Sequence, residues 1–331
     1  MYQTKKKMNK GLKITLWVLL TPIVAILLIV FLIFSIFNAS KFLIYKDYFS
    51  IRKDICINQG LNDNYVPQGI GYDFRDDYIY TSGYMSDKTA SRIYYTDETN
   101  DYGYVKLSKK GEPFTGHLGG IAISNSIAYI STDKVVYKIR TNEIINSENG
   151  ASVEVGPKFT VNNNSDFIYS IGKYLYIGEF HKLNTPYICD HQIKVDDNLT
   201  YNAIMTKYDR SDLTKPLEIF SIPNEIQGCA VLASGDIILS SSYSVKDSHY
   251  YYYKANTESF KQLNETIDGV KVTALVNPTL DLRGPAMSEG LALYKDGTIL
   301  NVTEAACNKY IFGKLFFANK IVGLDFSKLL Y

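Results

Sequence analysis

Residues 288–303 read Ser288-Glu289-Gly290-Leu291-Ala292-Leu293-Tyr294-Lys295-Asp296-Gly297-Thr298-Ile299-Leu300-Asn301-Val302-Thr303. A polar residue and a glycine lead into an apolar run, a Lys-Asp-Gly turn follows, and a second apolar run closes the unit. Two such runs around a glycine turn predict a β-hairpin. The same unit recurs upstream. Ile226-Gln227-Gly228-Cys229-Ala230-Val231 leads through Ser234-Gly235-Asp236 to Ile237-Ile238-Leu239-Ser240. Ser165-Asp166-Phe167-Ile168 precedes Tyr174-Leu175-Tyr176-Ile177-Gly178-Glu179-Phe180, a weaker copy. His117-Leu118-Gly119-Gly120-Ile121-Ala122 precedes Ile127-Ala128-Tyr129-Ile130-Ser131, and Pro67-Gln68-Gly69-Ile70 precedes Tyr78-Ile79-Tyr80-Thr81-Ser82-Gly83-Tyr84.

The five starts lie about 48 to 62 residues apart, close to the repeat of a four-stranded propeller blade. Outer strands fit between them: Val135–Ile139 and Ile204–Tyr208 read as third strands, Leu217–Phe220 as a fourth. Residues Asp54 to Asn58 precede the first unit and are placed to complete the last blade, which ties the chain ends together and removes an open edge. No segment after residue 40 has a long helical period. The expected fold is an all-β propeller of five blades, with room for a sixth between Ser248 and Arg283. A β-sandwich is the alternative, but it does not call for the recurring polar-Gly-apolar unit.

Ahead of the repeats, Ile14 to Phe37 runs without a charge. As a helix it spans roughly 36 Å, enough for a bilayer core. Lys5, Lys6, Lys7, Lys10 and Lys13 precede it, and only Lys41 and Lys46 follow closely. The expected organisation is a cytoplasmic basic tail (1–13), a transmembrane signal anchor (14–37), a connector (38–48) and an extracytoplasmic propeller (49–331). A cleaved signal peptide is the competing reading, although the run is long and Phe37-Asn38-Ala39-Ser40 is a poor cleavage site.

The 331 residues carry a net charge of +1, which gives no bulk electrostatic case for nucleic acid. Tyr (28) and Phe (16) are abundant, in keeping with strands. Cys56, Cys189, Cys229 and Cys307 lack zinc-ligand spacing; they form disulfides or remain buried thiols. No G-x-S-x-G, P-loop or HExxH motif is present, which removes the common hydrolase and nucleotide signatures.

Inner propeller strands converge on the axis, so the repeat starts place one polar side chain per blade there: Gln68, His117, Asp166, Gln227 and Glu289. The second strands end in Tyr84, Glu179 with His181, Tyr243 and Glu304. The expected ligand-binding ring is therefore Gln68, His117, Asp166, Glu179, Gln227, Glu289 and Glu304. Three readings compete for it: a solvated polar channel, a hard-cation site with Ca2+ on Asp166, Glu289 and Glu304, and general-base chemistry at His117 or His181. The glycines beside these residues are expected to let strands crowd at the axis. The Tyr250–Tyr253 run reads as a strand with aromatics on both faces, or as an exposed patch for a sugar or partner.

At Val66-Pro67-Gln68-Gly69, His117-Leu118-Gly119-Gly120, Gly178-Glu179-Phe180, Ile226-Gln227-Gly228, Pro285-Ala286-Met287-Ser288-Glu289-Gly290 and Thr303-Glu304-Ala305-Ala306 with Asn308-Lys309-Tyr310, the chain resembles secreted or membrane-anchored bacterial proteins with propeller-like folds. More distantly it is similar to the superfamily of calcium-dependent lactonases, gluconolactonases and strictosidine-synthase-like propellers. That likeness implies a calcium in the channel held by Glu, Asn and Asp, with Glu289 at the glutamate position and Asp166 at an aspartate; Gln68 and Gln227 stand where asparagines are expected. The leading functional expectation is a surface propeller that binds a ligand or protein partner at its channel mouth. A calcium-dependent hydrolase or lyase is the alternative, and a structural part of a surface assembly is a third.

Overall fold

The computed structural model describes residues 10–189, 191–310, 314 and 318–330. Lys5, Lys6 and Lys7 of the basic tail lie outside them. Two units separate: residues 1–46 and residues 47–331. The first holds a single helix, Lys10–Ile44, whose apolar stretch is long enough to cross a membrane and is unburied. Pro22 lies within it. This helix fits a single-pass anchor or a signal sequence.

The second unit is a five-bladed β-propeller. Its inner strands, in chain order, are Tyr65–Asp73, Gly120–Ser124, Phe167–Ile171, Ile226–Val231 and Ser288–Leu293. Each packs against the next, and the fifth returns to the first. From each inner strand the sheet grows outward through antiparallel neighbours, for example Ile226–Val231, Ile237–Ser241, Ser248–Tyr253 and Leu280–Gly284 in the fourth blade. The closure falls where the sequence placed it. Arg52–Ile57 forms the outer strand of the last blade, antiparallel to Lys320–Leu324.

The stretch given room for a sixth blade is shared between two existing ones. Ser248–Tyr253 and Leu280–Gly284 complete blade four, while Phe260–Ile267 and Val270–Leu275 extend blade three, the latter pairing parallel with Asp212–Ile222. In the same way Ser152–Glu154, from the second blade's connection, runs parallel to Tyr102–Lys109 on the edge of the first. Outer edges are thereby covered by chain from the neighbouring blade, which removes unpaired backbone groups. The Tyr250–Tyr253 run lies inside blade four, with Tyr250, Tyr252 and Tyr253 buried, so it forms no exposed aromatic patch. All four cysteines are buried free thiols.

Glycine sets how close the inner strands come. A Cβ at Gly69 would stand 2.5 Å from Ile121 N, one at Gly228 2.8 Å from Gly290 Cα, and one at Gly290 2.8 Å from Ile70 N. In each case the obstacle is backbone, which cannot swing away. Blade three has Phe167 at the corresponding point, and its ring is accommodated by Gly178 on the adjoining strand. The axis is therefore lined by backbone in near contact. A cavity opens on each side of this glycine ring, and the two share no lining residue.

Candidate functional site at the acidic mouth

The polar residue of three repeats sits on an irregularity in strand pairing. Register shifts occur between Pro67 and Gly69, between Ile226 and Gly228, and between Ser288 and Leu291. Gln68, Gln227 and Glu289 fall within these shifts. A bulged residue leaves the ladder and is re-aimed, which is how a side chain within a strand comes to face the axis. In blades two and three, His117 and Asp166 stand just before the inner strand begins. Leu118, Glu225 and Met287 adopt positive φ (54°, 66° and 67°) close to the start of their inner strands. Such conformations are costly for residues with a Cβ, and the turn into each inner strand is held by its surroundings.

These entries enclose a cavity of about 460 Å3. Gln68, Asp166, Gln227, Glu289 and Glu304 line it, and His117 joins them at the rim. Tyr84, Phe180, Tyr187, Tyr243 and Tyr310 supply aromatic wall. Phe180 stacks on Tyr243 with centroids 6.4 Å apart, and Tyr84 stacks on His117 at 4.8 Å. Lys309 donates to the Tyr84 hydroxyl, with its ammonium 4.7 Å from the Tyr84 centroid and 4.9 Å from that of Tyr310.

The acids at the floor are not equivalent. The Gln68 amide donates to Glu304 Oε2 at 2.9 Å, bridging the first and last blades. Phe180 N donates to Asp166 Oδ2 at 2.7 Å. The Glu289 carboxyl accepts no hydrogen bond from a described residue, although Glu289 is only 2% exposed. Burial pushes Glu304 up to about 7, against the Gln68 donor and the Lys309 ammonium. Burial likewise raises Asp166 to about 7, with Glu179 and Asp133 adding repulsion. Glu289 is raised well above the ordinary glutamate range by burial and then by neighbouring Glu304. His117 is pulled down by the packed wall and by Lys309; because its ring opens to solvent at the rim, that depression is smaller than full enclosure would give.

Glu179 and His181 do not reach the cavity. Glu179 accepts Asn164 N at Oε1 and Ile204 N at Oε2, each at 3.0 Å, and its Oε1 lies 3.3 Å from His191 Nε2. It ties loops together. His181 Nδ1 accepts Cys189 N at 3.0 Å, which gives that imidazole a structural task. Asp166, Glu289 and Glu304 share the cavity, but among the described residues no three His, Cys, Asp or Glu side chains gather closely enough to hold a metal ion. The sequence reading missed Lys309 and Tyr310 as mouth residues, although Asn308-Lys309-Tyr310 was among the segments that carried the family resemblance.

The cavity on the other side of the glycine ring is slightly larger, about 540 Å3, and its lining includes Ile70, Tyr72, Phe74, Ile121, Ile123 and Tyr169. Its acid, Asp73, is buried as well: Oδ1 accepts the Arg75 backbone N–H, Oδ2 has no hydrogen-bond partner among the described residues, and Arg75 pairs with Asp76. Size favours this end. Convergence of three acids, buried Glu289 with half-buried Asp166 and Glu304, favours the other, and that chemistry is the better guide to a site.

No protein-family model and no curated protein matches the sequence. Solved structures with similarity include a PQQ-bound aldose sugar dehydrogenase from Streptomyces coelicolor (14% identity, 76% of this chain and 78% of that one, TM-score 0.43). They also include a putative glucose dehydrogenase from Thermus thermophilus (9%, 83% and 99%, TM-score 0.44) and the WD40 β-propeller domain of Doa1 (9%, 80% and 80%, TM-score 0.40). These neighbours are β-propeller proteins, and at such identities their activities carry nothing over to this chain.

Proposed function

We propose that this chain is a membrane-anchored, extracytoplasmic propeller that binds a small ligand at the acidic mouth. The observation that carries the reading is Glu289, a buried carboxyl at the floor of an open cavity with no donor among the described residues. Such a group depends for its hydrogen bonds on whatever fills the cavity. The aromatic wall and cavity size match small-molecule sites in general. The apolar helix supports the anchor, and Lys10 and Lys13 at its start support an outward-facing propeller. The test is a thermal-shift screen of a metabolite library on the full-length chain and on Gln227→Trp, which fills the mouth. Hits that shift the native chain and lose their effect in the variant support the reading; hits that shift both equally, or no hits, contradict it.

A hydrolase or lyase is the second reading, favoured by one observation. Glu289 and Glu304 are neighbouring acids, both raised by burial, Glu289 well above the ordinary range and Glu304 to about 7, an arrangement suited to acid–base work. Turnover of lactones or esters that disappears in Glu304→Gln would support it.

A further inference from the structure

We propose that the ligand of the acidic mouth is an organic cation of the alkylammonium class, its charge set against Glu289 and its alkyl body against the aromatic wall. This rests on the ligand-site reading above. The first argument is charge. Asp133, Asp166, Glu289 and Glu304 line the cavity, and Lys309 is the one Lys or Arg among the described lining residues. A site with surplus acid satisfies it with protons when empty, and a cation can take their place. The second argument is the unmet need of one group. Glu289 lines the cavity, is 2% exposed, and lacks a hydrogen-bond donor among the described residues, so a ligand N–H or a close positive charge supplies what the fold does not.

The third argument is that the wall already receives ammonium groups. Lys309 Nζ lies over Tyr84 and Tyr310, and Lys182 Nζ lies 4.8 Å from the Tyr243 centroid. The faces of these rings attract cations. The chain's own lysine thus shows the contact that a soluble alkylammonium would make, and Lys309 competes with such a ligand by its charge. A metal ion fits less well, because the acids do not gather into a three-ligand group among the described residues. A neutral polyol could hydrogen-bond to Glu289 but could not take the place of the acids' protons.

The test is calorimetric titration of the full-length chain in detergent with choline and with its neutral carbon isostere, 3,3-dimethylbutan-1-ol. Choline is expected to bind saturably, and the isostere at least about tenfold more weakly. Glu289→Gln should weaken choline by a similar factor, whereas Lys309→Gln, which removes a competing charge from an exposed position, should tighten it severalfold. If Glu289→Gln fails to fold, the sign of the Lys309→Gln effect still decides, and weaker choline binding there contradicts the proposal. Equal binding of choline and its isostere overturns the cation inference and leaves the ligand site standing. Absence of choline binding also overturns it; if the library hits still depend on an open mouth, only this inference falls, and if they do not, both fall.

Discussion

The Gln68 amide donates to the Glu304 carboxylate across 2.9 Å, joining residues from the first and last blades at the floor of the mouth. The same two blades are joined along the axis by the contact of Gly290 with Ile70 and Gln68. Ring closure and the candidate site are thus built from the same residues. Gln68→Leu removes the donor while keeping bulk. Because the Gln68 contact lowers the Glu304 pKa, its loss should push that value above about 7. The stability cost should be about 1–3 kcal/mol at pH 8, where Glu304 is ionised, and smaller at pH 6. Denaturant melts at the two pH values check this; an equal cost at both would show that the charge is not involved.

Stability should fall as pH rises across the range where the floor acids lose protons. The Glu289 pKa is raised from 4.5, with Glu304 and Cys307 facing it; Glu304 is faced by Gln68 and Lys309, and Asp166 by Phe180 N, Glu179 and Asp133. An acid with a raised folded pKa holds its proton more tightly folded than unfolded. Its favourable term is complete below the unfolded pKa and is lost as pH climbs to the folded one. His117 and His181, both lowered, slope the other way, with stability lost as pH falls, so the net curve is shallower than the acids alone would give. Glu289→Gln isolates one contribution. It should gain on the native chain by at most about 1.4 kcal/mol per pH unit between pH 5 and 7. A gap that stays constant with pH would contradict the raised pKa.

Gly290→Ala should cost about 1–3 kcal/mol or more, because the new Cβ would meet Ile70 N at 2.8 Å and the Gln68 carbonyl at 3.1 Å. Gly297→Ala is the control. Its φ of +85° strains any Cβ, yet nothing lies within 4 Å, so the cost should be about 1 kcal/mol. Thermal melts of the two variants compare axial crowding with backbone strain. Equal losses would mean that the inner strands can spread at no cost.

Calcium should leave the melting temperature unchanged. A ligand bound only by the native state raises stability by RT ln(1 + [L]/Kd), so even modest calcium affinity would separate melts in calcium from melts in chelator. A clear shift abolished by Glu289→Gln would instead place a metal at the mouth and bring the lactonase-like reading forward.

Much of this architecture was legible in the sequence because the repeat marks the inner strands directly. Glycine within an apolar run signals a bulge or a close approach, and Gln68-Gly69, Gln227-Gly228 and Glu289-Gly290 proved to be both. The closing strand followed from the need to pair an open edge. The exchange of Phe260–Ile267 and Val270–Leu275 into blade three was not legible, since strand patterns do not say which sheet a strand joins. Glu179 and His181 were misplaced for a related reason. Gly178 faces Phe167, and the chain beyond it turns into loops whose backbone N–H groups claim both side chains. Lys309 lies outside the repeat, so no periodic signal pointed to it.

The central claim is that the mouth keeps a neutral, unpartnered carboxyl at its floor, and infrared spectroscopy reads that group directly. The full-length chain at pH 7 should show a protonated-carboxyl stretch that Glu289→Gln removes, and saturating choline should shift or abolish it. Absence of any such band at pH 7, or a band untouched by Glu289→Gln, would contradict the account.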